Sequence, residues 1–292
     1  MHLQRIIKAV DFIERHLNDA FSLTDVSRAA FSSLSYMHRI FYQMTGFTMK
    51  EYIRKRRLSN AALQLAQGRD TVLSISLGAG FDSAESFTRA FKQQFGVSPR
   101  AHRQGQTELT LVGPFDAVAA FAAAADDVMD FELKLEPVHY RSKHLHGYQT
   151  HTTLDGGQQI VDICAFSNRI IDSGVLSLHF DLSQTPVFGV YTNMTDRSEF
   201  DYTIACLSDS MKQPDTDLVQ HVIDDGLYAK FTLNRLDRIK QAWHYIYGRW
   251  FPSIEDVRNE GLDFETYHDD HACIYIPMTA MPTKNSSALP PW

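Results

Sequence analysis

No stretch of this 292-residue chain holds the run of about 18 or more apolar residues that a membrane-spanning helix needs. Its first residues, Met1-His2-Leu3-Gln4-Arg5-Ile6-Ile7-Lys8, lack the apolar core and small-residue cleavage site of an export signal. A cytoplasmic location and no membrane partner are therefore expected. Cysteine is scarce: Cys164, Cys206 and Cys273 are odd in number and far apart, which argues against a disulfide framework, and their apolar neighbours mark them as reduced core residues. Also missing are a glycine-rich phosphate loop, a Gly-x-Ser-x-Gly elbow, a His-x-x-x-His helix and a cysteine pair. No cofactor, catalytic residue or metal site is expected on that ground. His139, His144, His146 and His151 come nearest to a metal set, and His144 and His146 are expected to share a strand face, but no closing carboxylate motif accompanies them.

What the chain does have is a reversal of charge. Its net −7 divides into +7 over residues 1–105, from 15 basic and 8 acidic side chains, and −14 over the rest, from 13 basic and 27 acidic. A basic half beside an acidic one suggests that one part meets a polyanion and the other does not. The length points to two domains, and 44% hydrophobic residues suffice to give each a core.

The basic half contains a repeat. Phe31, Ser33, Arg39, Phe41, Gln43 and Gly46 recur as Phe81, Ser83, Arg89, Phe91, Gln93 and Gly96, at an offset of 50. Each copy reads as helix, sharp turn, helix. Ser22 and Asp25 form a capping signature for the first helix. In the second, Leu34, Met37, Ile40, Phe41 and Met44 follow the i, i+3, i+4 spacing of a packed face, and Ser35, His38, Arg39 and Tyr42 are left outward. The other copy turns Ala84, Phe87, Ala90, Phe91 and Phe95 inward and Glu85, Ser86, Arg89 and Lys92 outward. Gly46 and Gly96 suit left-handed C-caps, and Pro99 is expected to block further helix beyond the second copy. Between the copies, residues 49–67 read as one amphipathic helix carrying Arg54-Lys55-Arg56-Arg57.

Two such helices held apart can enter successive major grooves of double-stranded DNA, about 34 Å from one to the next. Arginine makes the commonest specific contact there, bidentate to guanine, so Arg39 and Arg89 lead as base readers; the alternative is that they are solvated surface arginines. Ser35, His38, Glu85 and Ser86 come next, with Glu85 also placed to cap a helix with Asp82 and His38 also readable as an exposed polar residue. Arg54 to Arg57 read as phosphate contacts or helix-surface charges.

Three pieces of this half resemble the AraC/XylS-type DNA-binding domain: Tyr52-Ile53-Arg54-Lys55-Arg56-Arg57-Leu58-Ser59, Val72-Leu73-Ser74-Ile75-Ser76-Leu77-Gly78-Ala79-Gly80-Phe81, and Ser86-Phe87-Thr88-Arg89-Ala90-Phe91-Lys92-Gln93-Gln94-Phe95-Gly96-Val97-Ser98-Pro99. The resemblance covers residues 5–103 and implies an all-α domain with two helix-turn-helix units. Ser76 and Gly78 depart from it where better helix formers are usual, and a looser second unit is expected.

An alanine-rich linker, part helical, is expected over residues 106–129. Beyond it, extended and helical stretches alternate: residues 131–152 extended, 157–173 helical, strands at 187–194 and 202–207, then 218–233 extended, 235–251 helical, and strands at 263–267 and 272–278. Two β-α-β-β units predict an antiparallel sheet with two helices on one face, an α+β domain over residues 130–281, with a flexible tail over 282–292. Asp224-Asp225-Gly226-Leu227-Tyr228-Ala229-Lys230-Phe231, Ala242-Trp243-His244-Tyr245-Ile246-Tyr247-Gly248-Arg249-Trp250-Phe251-Pro252 and Asp263-Phe264-Glu265-Thr266-Tyr267 resemble the GyrI-like small-molecule-binding domain. That resemblance implies Glu265 as the carboxylate that meets a cationic or aromatic effector, or else a strand residue facing solvent. Tyr191, Tyr202, Trp243, Tyr247 and Trp250 are candidate pocket walls, although the i, i+4, i+7 spacing of the last three also suits plain core. Together the two resemblances imply a transcription regulator, an activator by that likeness, with RNA polymerase a further partner and a monomeric or homodimeric state. The competing reading is a small-molecule hydrolase or scavenger fused to a DNA-binding module.

Overall fold

The computed structural model describes residues 2–105, 108–123, 131–254, 258–259 and 261–280; the tail at 282–292 and parts of the linker lie outside them. The chain divides into two compact units, Gln4–Val118 and, with Met1–Leu3, Ala119–Trp292. Among the described residues no helix is long and apolar enough to cross a membrane.

The first unit holds α1 (His2–Arg15) from Gln4 onward, α2 (Leu23–Ala29), α3 (Leu34–Thr45), α4 (Met49–Gln67), α5 (Val72–Gly78), α6 (Ala84–Phe95) and α7 (Pro99–Arg103). Polar caps set where these helices start. Ser22 with Asp25, and Thr48 with Glu51, close reciprocal capping boxes, and Ser33, Thr71, Ser83 and Ser98 each accept a backbone N–H. Gly46, Gly68 and Gly96 end α3, α4 and α6 in the left-handed conformation, where a Cβ would be strained. Pro99 begins a helix rather than blocking one: it sits in the first turn of α7, behind the Ser98 cap, where its missing N–H costs nothing.

The repeat is less uniform than a single offset suggests. α3 and α6 lie 50 residues apart, but α2 and α5 lie 49 apart. The Ser32 N–H bonds to Ser27 O as the Phe81 N–H bonds to Ser76 O, so Phe31 is the counterpart of Gly80 and one extra residue enters the second turn. Both turn residues have positive φ, 53° at Phe31 and 75° at Gly80. Phe31 is exposed, its ring 4.4 Å from the Lys8 ammonium, whereas Phe81 packs on Phe87.

Arg56 and Arg57 turn inward, against the expectation of phosphate contacts or surface charges. Arg56 grips Glu14 through two bonds of 2.9 and 2.7 Å and donates to Val112 O. Arg57 reaches Leu17 O and Asp19 O and lies against Gly80, where a Cβ would come within 2.5 Å of its guanidinium. Both arginines therefore tie α4 to neighbouring segments. Arg54 remains exposed. The start of the linker is bound to the same helix: the Val112 N–H donates to Ser59, the Phe115 N–H to the Tyr52 hydroxyl, and Leu109 and Leu111 pack on its core. Helix α8 (Ala117–Ala123) spans the division between the units.

Gly78 closes α5 with open space where a Cβ would stand and an ordinary φ. Gly78→Ala should therefore stabilise the first unit by about 0.5–1 kcal/mol through helix propensity and unfolded-state entropy, read as a higher urea midpoint at unchanged slope. A lower midpoint would mean that the open space is required.

The second unit is α+β. Its strands are β1 (Leu133–Tyr140), β2 (Lys143–Thr153), β3 (Val187–Thr192), β4 (Glu199–Leu207), β5 (Val219–Ile223), β6 (Gly226–Leu233), β7 (Phe264–Tyr267) and β8 (Ala272–Met278). Helices α9 (Gln158–Asp172) and α10 (Val175–His179) come after β2; after β6, α11 (Ile239–Tyr245) runs through a π-helical turn, Ile246–Trp250, into α12 (Phe251–Ser253). Each long extended stretch is in fact two strands, broken at Arg141-Ser142 and at Asp224-Asp225, so the repeat is β-β-α-β-β. The broken strands do not pair with each other: β1 joins β6, and β2 joins β4 and β5.

The resulting antiparallel sheet has the order β1-β6-β8-β7-β3-β4-β2-β5. Exchanging the repeats reverses that order onto itself, which puts a pseudo-twofold axis between β3 and β7. One face carries Leu154, Phe166, Ile170, Phe200, Tyr202 and Ile204 around α9. The other gathers Leu145, Phe188, Val190, Tyr228, Phe264 and Tyr275. Tyr140 on edge strand β1 lies 5.2 Å from Phe264, three strands away; flat strands about 4.8 Å apart cannot do this, so the sheet curls around its second core. Cys206 and Cys273 are buried, but Cys164 is exposed on α9, contrary to the core role expected of all three.

Candidate DNA and effector sites

α3 and α6 are the second helices of the two helix-turn-helix units. On α3, Tyr36, Met37, His38, Ile40 and Phe41 are buried, an arc of about 200° at 100° per residue. His38 is 1% exposed, so it is not an outward base contact: an arc this wide takes it into the core. Ser35 is exposed, and Arg39 and Tyr42 are half-exposed. On α6 only Phe87 and Phe91 are buried, leaving Glu85 and Arg89 exposed. Ser86 is engaged locally, its N–H donating to Ser83 Oγ and its hydroxyl to Ser83 O. The cap is Ser83 and not Asp82, which removes the capping-box role considered for Glu85.

In the second unit, β7 and β3 face each other across the pseudo-twofold axis, with Gly189 opposite Glu265. Glu265 is 1% exposed. Trp243 Nε1 of α11 donates to Oε1, as does the Tyr191 hydroxyl at 3.1 Å, and the Tyr267 hydroxyl donates to Oε2 at 2.6 Å. Tyr202 faces Tyr191 across β3 and β4, ring centres 5.0 Å apart. Burial, then the Glu265 charge, push the Tyr202 and Tyr267 phenols well above their ordinary range, so both keep their protons and can act as donors. A Cβ on Gly189 would stand 2.6 Å from the Tyr202 hydroxyl and 2.7 Å from Glu265 Oε2; glycine is what lets the carboxylate and the phenol approach.

Of the expected pocket walls, Tyr191, Tyr202 and Trp243 gather at Glu265. Tyr247 stacks on Trp243, but its hydroxyl donates to Asp263, a second buried carboxylate also held by Arg258 at 2.8 Å. Trp250 is core, edge-on to Phe231 at 4.9 Å. Tyr267, Gly189, Asp263 and Arg258 were absent from the sequence-derived set. A glycine inside the Phe188-Gly189-Val190-Tyr191 strand is a sign of close approach, and Tyr267, two residues from Glu265, had to share its face.

Comparison with known proteins bears on both units. A helix-turn-helix domain profile matches residues 26–105. The chain is 41% identical over 95 residues to the Transposon Tn10 TetD protein of Escherichia coli, covering 32% of this chain and 69% of that one. The chain belongs to the AraC-type helix-turn-helix family. The Bacillus subtilis regulator YbfP is 38% identical over 96 residues, which cover 33% of the AraC-type chain and 32% of YbfP; the chain thus spans about a third of that relative's length. A profile described as integron-associated effector binding protein matches residues 140–278, so this family member carries its DNA-binding module ahead of an effector-binding domain. An integron cassette protein from Vibrio cholerae is similar in structure, at 18% identity and a TM-score of 0.40, covering 51% of this chain and 99% of that one.

Proposed function

We propose that the chain is a transcription regulator that reads two adjacent major grooves with α3 and α6 and is controlled by a cationic or aromatic small molecule at Glu265. The observation that carries the DNA reading is the pair Arg39 and Arg89, at matching places on helices 50 residues apart in a half of net charge +7. Guanidinium groups on such helices suit guanine edges. Ser35 and Glu85 are the neighbouring contacts, Ser86 a lesser one. Action as an activator, with RNA polymerase as the further partner, belongs to the same proposal.

The test is affinity for sites recovered from random duplexes at fixed salt. Arg39→Ala and Arg89→Ala should each cost roughly 1–3 kcal/mol and relax discrimination at different base pairs, with the two affected positions about one helical turn apart. Unchanged affinity and specificity in both variants would refute it.

A further inference from the structure

The turn between β7 and β8 brings His268, His271 and Cys273 together, their ligating atoms all within 4.8 Å of one another. The register explains why. Tyr267 pairs with Ala272 and Thr266 with Cys273, and the His268 N–H closes the turn on His271 O at 2.9 Å. Residues alternate faces along a strand, so both imidazoles and the Cys273 thiol fall on one face, the imidazoles stacked with centres 4.2 Å apart. Both histidines are half-exposed and the cysteine is buried.

The surroundings suit a metal. Asp270 accepts from His271 Nδ1 at 2.7 Å, the carboxylate–imidazole pairing that leaves the Nε2 lone pair for a metal. Thr266 Oγ1 lies 3.2 Å from His268 Nε2, and Thr232 Oγ1 lies 3.5 Å from the Cys273 sulfur. Burial, then the charges of His271 and Lys230, lower the basicity of His268. The Lys230 ammonium is itself paired with Glu136 at 2.9 Å. Asp269 and Asp270 add negative charge at the turn.

We propose that this hairpin binds a divalent metal ion of borderline softness, zinc foremost, through His268, His271 and the Cys273 thiolate, with water in the fourth position. Two imidazoles and one thiolate favour such an ion over calcium or magnesium, which take oxygen ligands. Binding releases the thiol proton.

The experiment uses the full chain after chelator treatment, titrated with zinc and separately with cobalt. One equivalent of zinc should bind, and the cobalt complex should show a thiolate-to-metal charge-transfer band. Cys273→Ser should abolish that band and Cys164→Ser should retain it. Should Cys273→Ser fail to fold, the double variant His268→Gln/His271→Gln, altered only at half-exposed side chains, still decides: zinc affinity should fall by tenfold or more. A cobalt spectrum with no thiolate band, a band that survives Cys273→Ser, or zinc affinity unchanged in the double variant overturns the proposal.

Discussion

Glu14→Ala should lower the stability of the helical unit by roughly 3–5 kcal/mol, the scale seen when one partner of a buried ion pair is removed. The Arg56 side chain is 8% exposed and that of Glu14 19%. Glu14 also accepts from the Tyr52 hydroxyl at 2.7 Å, so its loss strands a guanidinium and a phenol together. Tyr52 receives the Phe115 N–H and Arg56 holds Val112 O, hence the strap over residues 112–115 should loosen with α1. A urea midpoint reads the effect. The double variant Glu14→Leu/Arg56→Met should recover part of the loss, because it leaves no uncompensated buried charge. A loss below about 1 kcal/mol for Glu14→Ala would show that the pair behaves as a surface contact.

This ion pair also marks where the sequence stopped being informative. Helix ends were legible because capping is local: Ser22, Gly46 and Gly96 act within a few residues of themselves. Strands β7 and β8 were legible because four to seven residues of alternating or continuous apolar character need no distant partner to be recognised. Arg56 and Arg57 were not, since an arginine run on a helix looks solvated until a carboxylate 42 residues away and two carbonyls some 40 away are folded against it. His38 misled for a related reason: a polar residue one step from a hydrophobic stripe is outside on a helix packed from one side and inside when the buried arc widens. In the second unit the Glu265 site was half legible. The acid and three of its aromatic neighbours could be named, yet the role of Gly189 depends on strand register, and the Tyr247–Asp263 bond on which way a helix faces. The one-residue difference between the turns was hidden by Phe31 and Phe81, identical residues that are not counterparts in space.

Glu265→Gln should reduce affinity for aromatic quaternary ammonium ions about 100-fold, close to 3 kcal/mol, while leaving DNA affinity without ligand unchanged. The charge is what a cation would seek: opposite unit charges about 4 Å apart attract by roughly 4 kcal/mol at an effective dielectric of about 20, and ring faces add about 0.5–2 kcal/mol of cation–π attraction. Gln keeps the shape, so fold stability should change little by comparison. The geometry makes a second, opposite demand. Without ligand, the carboxylate is satisfied by Tyr191, Trp243 and Tyr267, and a cation must compete with those donors. Tyr267→Phe removes one donor while keeping the ring, so cation affinity should rise several-fold even as the unit loses about 1 kcal/mol of stability. Calorimetric titration of both variants separates the cases. A pocket that binds by hydrophobic fit alone would move neither variant, and a loss in both would mean that the tyrosine shapes the site and does not compete for it. Only the opposed pair of shifts supports a carboxylate held in reserve by its own phenols. Such a site can report its occupancy to the rest of the domain, because ligand entry must free the β7 and β3 side chains that unliganded Glu265 holds.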